Sequence, residues 1–299
     1  MKIAFDPNCS LPADEWISQA KPQQVFDACY NEAWDQLVPV VQIDYDQLAL
    51  AHDPKYIQDI LTLRRENGFC TRRADHLNQI LWANGAFLAA AQEALKSGVC
   101  FAPVSGFHHA CYGAGGGFCT FNGLVIAALE TRASRVLIID GDGHYGNGTQ
   151  DIIEKLGLTG RIKNLTYGKG LPRGPESVRE IEVWLKSESW DLVLYQAGAD
   201  SYKDDPFGAG YLDAEHWRRR DEVVFNTCRD RALPVVWDLA GGYSPALTVK
   251  LHYDTFATAC LAYEGAERRP PDLRASALGN RSPRAPNPAP RYGWPEEGL

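Results

Sequence analysis

Three near-continuous apolar runs constrain this chain most: RVLIID (135–140), WDLVLYQAG (190–198) and LPVVWDLAG (233–241). A short stretch that is apolar at nearly every position, not at alternate ones, reads as a strand covered on both faces. Between these runs lie segments of helical length and spacing, PESVREIEVWLKS (175–187) and AEHWRRRDEVVFNTCRDR (214–231). Upstream, KIAF (2–5) reads as a first short strand. PKYIQDILTL (54–63) and LNQILWANGAFLAAAQEAL (77–95) read as helices. Strands alternating with helices predict an α/β fold, a three-layer αβα sandwich around a mostly parallel central sheet.

With 299 residues, 45% of them apolar, the chain has the material for a sizeable core. A net charge of −8 without a long basic run argues against nucleic-acid binding. An acidic surface instead draws cationic small molecules or lysine-rich tails. The start, MKIAFDPNCSLPADEW, has no basic region followed by an apolar stretch, so no export signal is expected. No segment has the length and apolarity to span a bilayer, so no membrane insertion is expected either. Eight cysteines are scattered without a CxxC pair. That predicts reduced thiols in a cytoplasmic protein, most of them small core residues. From Glu264 onward proline and arginine abound and the apolar period ends. The expected organisation is one domain over residues 1–263 and an extended or disordered tail over 264–299.

In parallel α/β sheets, ligands bind beyond the carboxyl ends of the strands. The unusual residues collect there. RVLIID runs into Asp140, Asp142 and His144, alternating with glycines; LVLYQAG runs into Asp200, Asp204 and Asp205; VVWDLAG runs into Gly-Tyr and Tyr243. A fourth segment, SGFHHACYGAGGGFC (105–119), carries adjacent His108 and His109 ahead of a glycine run. Residues two apart in extended backbone point to one side, so Asp142 and His144 can converge on one point. Completed by a third carboxylate from elsewhere, they make an open site of a kind that zinc accepts. Singly, these signals are bland: Asp-Gly marks a turn, and Asp205 before Pro206 is a common turn starter. Their joint arrival at successive strand ends carries the chemical meaning. His52, His76, His216 and His252 lack such company and read as structural or surface residues. The glycines at 115–117 fit neither GxGxxG nor a P-loop, so no nucleotide site is expected.

The motifs stand in a definite order: His-His-Ala leading to Gly-Phe-Cys, Asp-x-Asp-x-His followed by Gly-Asn-Gly-Thr-Gln, Gly-Ala-Asp then Asp-Pro, and finally Gly-Gly-Tyr. In this order they resemble the histone deacetylase and acetylpolyamine amidohydrolase superfamily, from about LALAHDPKYIQDIL through GGYSPAL. The brevity of the chain is more like the class IV and small bacterial branches. The resemblance implies an arginase-like fold, one catalytic zinc ion and an amidohydrolase. Such an enzyme removes an acetyl or longer acyl group from an amine such as acyl-lysine, through metal-activated water. It implies Asp142, His144 and Asp205 as zinc ligands, Asp205 standing five residues after Asp200 and Asp204 one place out of step. It implies His108 and His109 as the tandem histidines, oriented by Asp140 and Asn147, and Tyr243 as the transition-state tyrosine. His109 then moves the protons, His108 assists electrostatically, and the Tyr243 hydroxyl donates to the oxyanion. Phe118 lines a narrow channel and the Gly117 carbonyl accepts the substrate's amide hydrogen. A potassium ion is implied near Asp140, Asp142, His144 and the Thr166 hydroxyl.

The chain also departs from the family's pattern. Tyr145 follows His144 where many relatives carry a second histidine, and TFNG keeps only Asn122 of an asparagine pair. After Thr166, YGKGLPRGPES lacks the Phe-Pro-Gly segment that supplies a second aromatic wall, leaving Leu171 and Pro172 as substitutes. A more open channel is expected, which widens the candidate substrates to acetylated polyamines or another small-molecule amide. A catalytically silent binder of acylated amines is a rival from another class. An arginase-type enzyme with two manganese ions is a third, but it needs an Asp two residues after its His, where this chain has Gly146.

Overall fold

The computed structural model describes residues 1–12 and 17–265. Apart from Glu264 and Gly265, the expected tail lies outside the described residues. The elements run β1 (Lys2–Ala4), α1 (Ile17–Cys29), β2 (Gln36–Val38), α2 (Tyr45–Ala49), α3 (Pro54–Leu61), α4 (Ala74–Ser97) and β3 (Val99–Phe101). They continue with α5 (Gly123–Glu130), β4 (Val136–Asp140), α6 (Asn147–Lys155), β5 (Ile162–Tyr167), β6 (Gly170–Leu171) and α7 (Glu176–Ser187). The last are β7 (Leu192–Gln196), α8 (Ala214–Asp230), β8 (Val235–Asp238) and α9 (Pro245–Glu264).

Among the described residues the strands form one sheet in the order β2-β1-β3-β8-β7-β4-β5-β6. Every pairing in it is parallel. All residues of β4, β7 and β8 are buried, which is why their sequences show no alternation. Helices α1, α9, α8 and α7 pack on one another in succession. Helix α4 lies against β1, β3 and β8, with α5 and then α6 beside it. This is the three-layer α/β sandwich expected from the apolar runs. The Trp237 ring on β8 meets Phe101 at 4.7 Å and Phe225 of α8 at 5.0 Å, tying the sheet to the helical layer.

Local chemistry sets several helix starts. Asp53 accepts from the Lys55 and Tyr56 amides with Pro54 in the first turn, and Asp213 accepts from the His216 amide at the start of α8. The elements read from sequence are present with slightly different bounds, but others join them. Strand β3 has three residues, too few for a period. Helix α5 is buried continuously from Gly123 to Ala128, so GLVIAALE shows no polar face. Helix α9 runs through Glu264, the residue at which the tail was expected to begin. No described helix is long and apolar enough to cross a membrane.

The sheet order puts β3, β8, β7 and β4 side by side. The loops leaving their carboxyl ends therefore meet, although residues 102 and 239 are far apart in the chain. Such adjoining strand ends are where an open parallel sheet binds ligands.

Candidate active site

A polar row crosses the ends of the central strands. Asp140 pairs in register with Thr166 of β5 and Gln196 of β7, and Gln196 with Asp238 of β8. Gln196 Nε2 donates to Asp140 Oδ1 at 2.8 Å, while its Oε1 accepts from the Phe107 amide at 2.9 Å. This pins the segment that carries the two histidines above the sheet.

His108 Nδ1 lies 2.8 Å from Asp140 Oδ2, and His109 Nδ1 lies 2.6 Å from Asn147 Oδ1. Their ring centroids are 4.0 Å apart, yet their environments differ. Burial disfavours charge on His108, but Asp140 and Asp142 outweigh it and lift its pKa to about 9. Burial, reinforced by the positive charge of His108, lowers His109 to about 3. One ring is held cationic and its neighbour neutral.

The structure brings Asp142, His144 and Asp200 together, with one ligand atom from each lying within 4.8 Å of the others. His144 Nδ1 is 3.0 Å from Asp142 Oδ1 and 2.9 Å from Asp200 Oδ2. Asp142 Oδ2 accepts from the Gly241 amide at 2.7 Å, and Asp200 Oδ1 from the Gly143 amide at 2.8 Å. Burial opposes charge on His144, but its bonds to Asp142 and Asp200 raise its pKa to about 11. Asp142 is held well below the usual carboxylate range, because His108 and His144 outweigh its burial. Burial, then the charge of Asp142, pushes Asp200 up to about 6. Asp205 is not in this cluster. Its Oδ1 accepts from the Phe207 amide at 3.1 Å and its Oδ2 from the Tyr243 amide at 2.7 Å. Asp204 is exposed.

Tyr243 stands among rings: Phe207 edge-on at 5.7 Å, Phe118 at 6.1 Å and His144 edge-on at 6.4 Å. Burial, then the negative charges of Asp200 and Asp142, raises its hydroxyl pKa well above the ordinary value, so it stays a proton donor. Two glycines permit this crowding. A Cβ on Gly241 would lie 2.2 Å from Asp200 Oδ2 and 2.7 Å from Asp142 Oδ2, and one on Gly117 would lie 2.4 Å from His109 Cδ2. Gly117 (φ 51°) and Phe118 (φ 65°) both adopt the left-handed conformation, which is uncommon for a phenylalanine. Thr166 is fully buried, and its Oγ1 accepts from the Gly146 amide at 2.9 Å.

Several residues at the site escaped sequence reasoning. Phe207, 43% exposed, supplies a ring against Tyr243, whereas Leu171 is buried within β6 and Pro172 is exposed. Gln196 and Asp238 were visible only as polar endings of apolar runs. Asp238 is fully buried and neither carboxylate oxygen has a hydrogen-bond partner among the described residues. Lys21, from α1, is buried and donates from Nζ to the Ala240 carbonyl. Burial lowers its pKa, opposed by Asp200, Asp142, Asp238 and Asp205. Nothing in its local sequence marked it out.

Comparisons agree with this architecture. The histone deacetylase domain family matches residues 17–160. An uncharacterised protein of Picosynechococcus sp. is 30% identical over 225 residues, covering 66% of this chain and 75% of that protein. Histone deacetylase 2 of Arabidopsis thaliana is 31% identical over 188 residues, covering 53% of this chain and 48% of that one. Acetylpolyamine amidohydrolase 2 of Pseudomonas aeruginosa is 27% identical over 171 residues, covering 46% and 48%. The chain therefore spans about half the length of those two relatives. The crystal structure of acetylpolyamine aminohydrolase from Burkholderia pseudomallei shares the fold, with a TM-score of 0.69 at 20% identity. That alignment covers 87% of this chain and 98% of the other. With its ordered motifs gathered at adjoining strand ends, the chain belongs to the histone deacetylase and acetylpolyamine amidohydrolase superfamily.

Proposed function

We propose that this protein is a zinc-dependent amidohydrolase that removes an acetyl or longer acyl group from an amine such as acyl-lysine. One observation carries this: two adjacent histidines, each with its own orienting partner, stand beside a carboxylate–imidazole cluster that adjoins a tyrosine. The catalytic unit is taken as residues 1–263. A cytoplasmic location fits the buried thiols of Cys9, Cys100, Cys119 and Cys228.

The donors suit zinc in chemistry. Carboxylate oxygen and imidazole nitrogen are both zinc ligands, and the carboxylates already stabilise positive charge on His144. Asp142 and His144 would hold the ion together with Asp205. Support for Asp205 is its position: it bonds the amide of Tyr243 and keeps 8% exposure, whereas Asp200 is fully buried and already bonded to His144. Asp205→Asn should then weaken zinc binding more than Asp200→Asn; the reverse order would give the third place to Asp200. A potassium ion with Asp140, Asp142, His144 and Thr166 is part of the same proposal. A Cβ on Gly146 would lie 2.3 Å from Asp140 Oδ2 and 3.4 Å from Thr166 Oγ1, so these groups do adjoin.

Zinc, when bound, supplies a Lewis acid for the substrate carbonyl and lowers the pKa of a water molecule. The chain supplies the rest. His109 donates from Nδ1 to Asn147, which makes Nε2 the unprotonated ring nitrogen that accepts a proton from water and returns it to the leaving amine. His108, cationic against Asp140, offers positive potential where negative charge develops. The Tyr243 hydroxyl donates to the oxyanion. The rings of Phe118 and Phe207 flank an aliphatic chain, and the Gly117 carbonyl accepts the amide hydrogen.

A net charge of −8 also favours acetylated polyamines, which keep positive charge elsewhere along the molecule. The deciding experiment is a turnover screen of zinc-loaded protein on acetyl-lysine peptides, longer acyl-lysines and acetylated polyamines. Hydrolysis is expected in at least one class. Binding without turnover throughout the panel would favour a silent acyl-amine binder.

A further inference from the structure

We propose that Arg220 is a positioning residue that locks the two ligand-bearing loops to each other and so sets the affinity of the metal site. The proposal rests on the metal-binding reading above. In α8 the sequence WRRRDEVVF carries three consecutive arginines, and they have different fates. Arg218 and Arg219 are exposed and pair with Glu222. Arg220 is fully buried. A guanidinium does not shed its charge in proteins, so burial demands fixed partners.

Those partners lie at the foot of the site. Arg220 Nη1 donates to the Gly141 carbonyl at 3.3 Å, the Gly198 carbonyl at 3.3 Å and Ser201 Oγ at 3.0 Å. Gly141 immediately precedes Asp142, while Gly198 and Ser201 bracket Asp200. One nitrogen therefore joins the loop leaving β4 to the loop leaving β7. Gly141 admits this approach, since a Cβ there would lie 3.2 Å from Nη1. The other side of the fork is anchored in the helical layer. Nε donates to Asp221 Oδ1 at 3.1 Å, and the guanidinium carbon sits 3.7 Å from the Trp217 ring centroid. Asp221 also accepts from the Tyr195 hydroxyl of β7 and, at 2.5 Å, from Thr255 Oγ1 of α9. Balancing Asp221 alone would need no contact with either loop; Arg220 grips both. Lysine lacks the planar fork that serves Asp221 and the carbonyls together.

The test measures zinc affinity by chelator competition, with thermal midpoints in parallel. Its proteins are wild type, Arg220→Lys, Ser201→Ala and, as a control, Ile181→Ala, which opens the fully buried core of α7. Arg220→Lys should bind zinc about 10- to 100-fold more weakly. Ile181→Ala should lower the midpoint and leave zinc affinity unchanged. Wild-type affinity in a folded Arg220→Lys overturns the proposal. If that variant does not fold, Ser201→Ala decides, because it removes one acceptor and keeps the Arg220–Asp221 pair. Weaker zinc binding then supports the lock, and unchanged binding overturns it. A wild type that binds no divalent metal sinks the metal reading and this proposal with it, an outcome separate from the others.

Discussion

Asp140 and burial between them shift the pKa values of two adjacent histidines in opposite directions, and the same competition governs the acids nearby. Asp238 is the extreme case. Burial, then the charge of Asp140, raises its pKa well above the carboxylate range. A raised folded-state pKa contributes stability that is complete below the unfolded value, about 3.9, and is lost as pH climbs toward the folded value. Asp238→Asn removes that loss while keeping the shape. The variant should therefore melt at higher temperature than wild type at neutral pH, and the two should converge in acid below about pH 4. Melting curves across pH check this; a wild type at least as stable at pH 7 would contradict it. Tyr243 makes the catalytic counterpart. Tyr243→Phe should lower kcat about 10²- to 10³-fold with zinc content unchanged, as loss of an oxyanion donor does. Near-normal turnover would remove Tyr243 from its role. Both residues were legible as types at strand ends, but the protonation states depend on neighbours from other strands.

At the scale of elements, strand ends and the loops that leave them do the positioning. The loop after β8 brings the Gly241 amide onto Asp142 and the Tyr243 amide onto Asp205, so it touches two candidate ligands and carries the tyrosine. Gly241→Ala would put a methyl 2.2 Å from Asp200 Oδ2, on a carboxylate that is fully buried and bonded to the Gly143 amide and His144. A displacement on the order of 1 Å at a catalytic group costs about 100-fold. That loss in kcat/KM is the expected outcome, with weaker zinc binding beside it; an active, zinc-tight variant would mean the loop has slack. The glycine pair was legible as part of the Gly-Gly-Tyr motif, yet its reason, two carboxylates at the same spot, was not. Helices showed the same division. Helix α8 announced itself by its length and apolar spacing, whereas α5, buried along most of its length, offered no polar face to recognise.

For the whole molecule, a metal bound between loops from different strands should couple their stability. Ligand present at 100 times its Kd adds about 2.7 kcal/mol, and each kcal/mol moves Tm by about 2–4 °C in domains of this general size. Stripping zinc with a chelator should therefore lower the melting temperature by several degrees, and readdition should restore it. His144→Ala should lack both changes; an increment of the same size in that variant would count against ligation by His144. The amino-acid sequence by itself determined the layers of the fold, because short apolar runs regularly alternate with longer segments of helical spacing, the pattern of strands covered on both faces by helices. It also determined which residue types end those strands and in what order. Only the tertiary structure decided which strands adjoin, and with them the convergence of Asp200 on His144, the placing of Phe207 against Tyr243, and the burial of Lys21, Asp238 and Arg220. Each of those depends on contacts between residues tens of positions apart, formed across the sheet and its helical cover, and no local pattern encodes the distance between two loops.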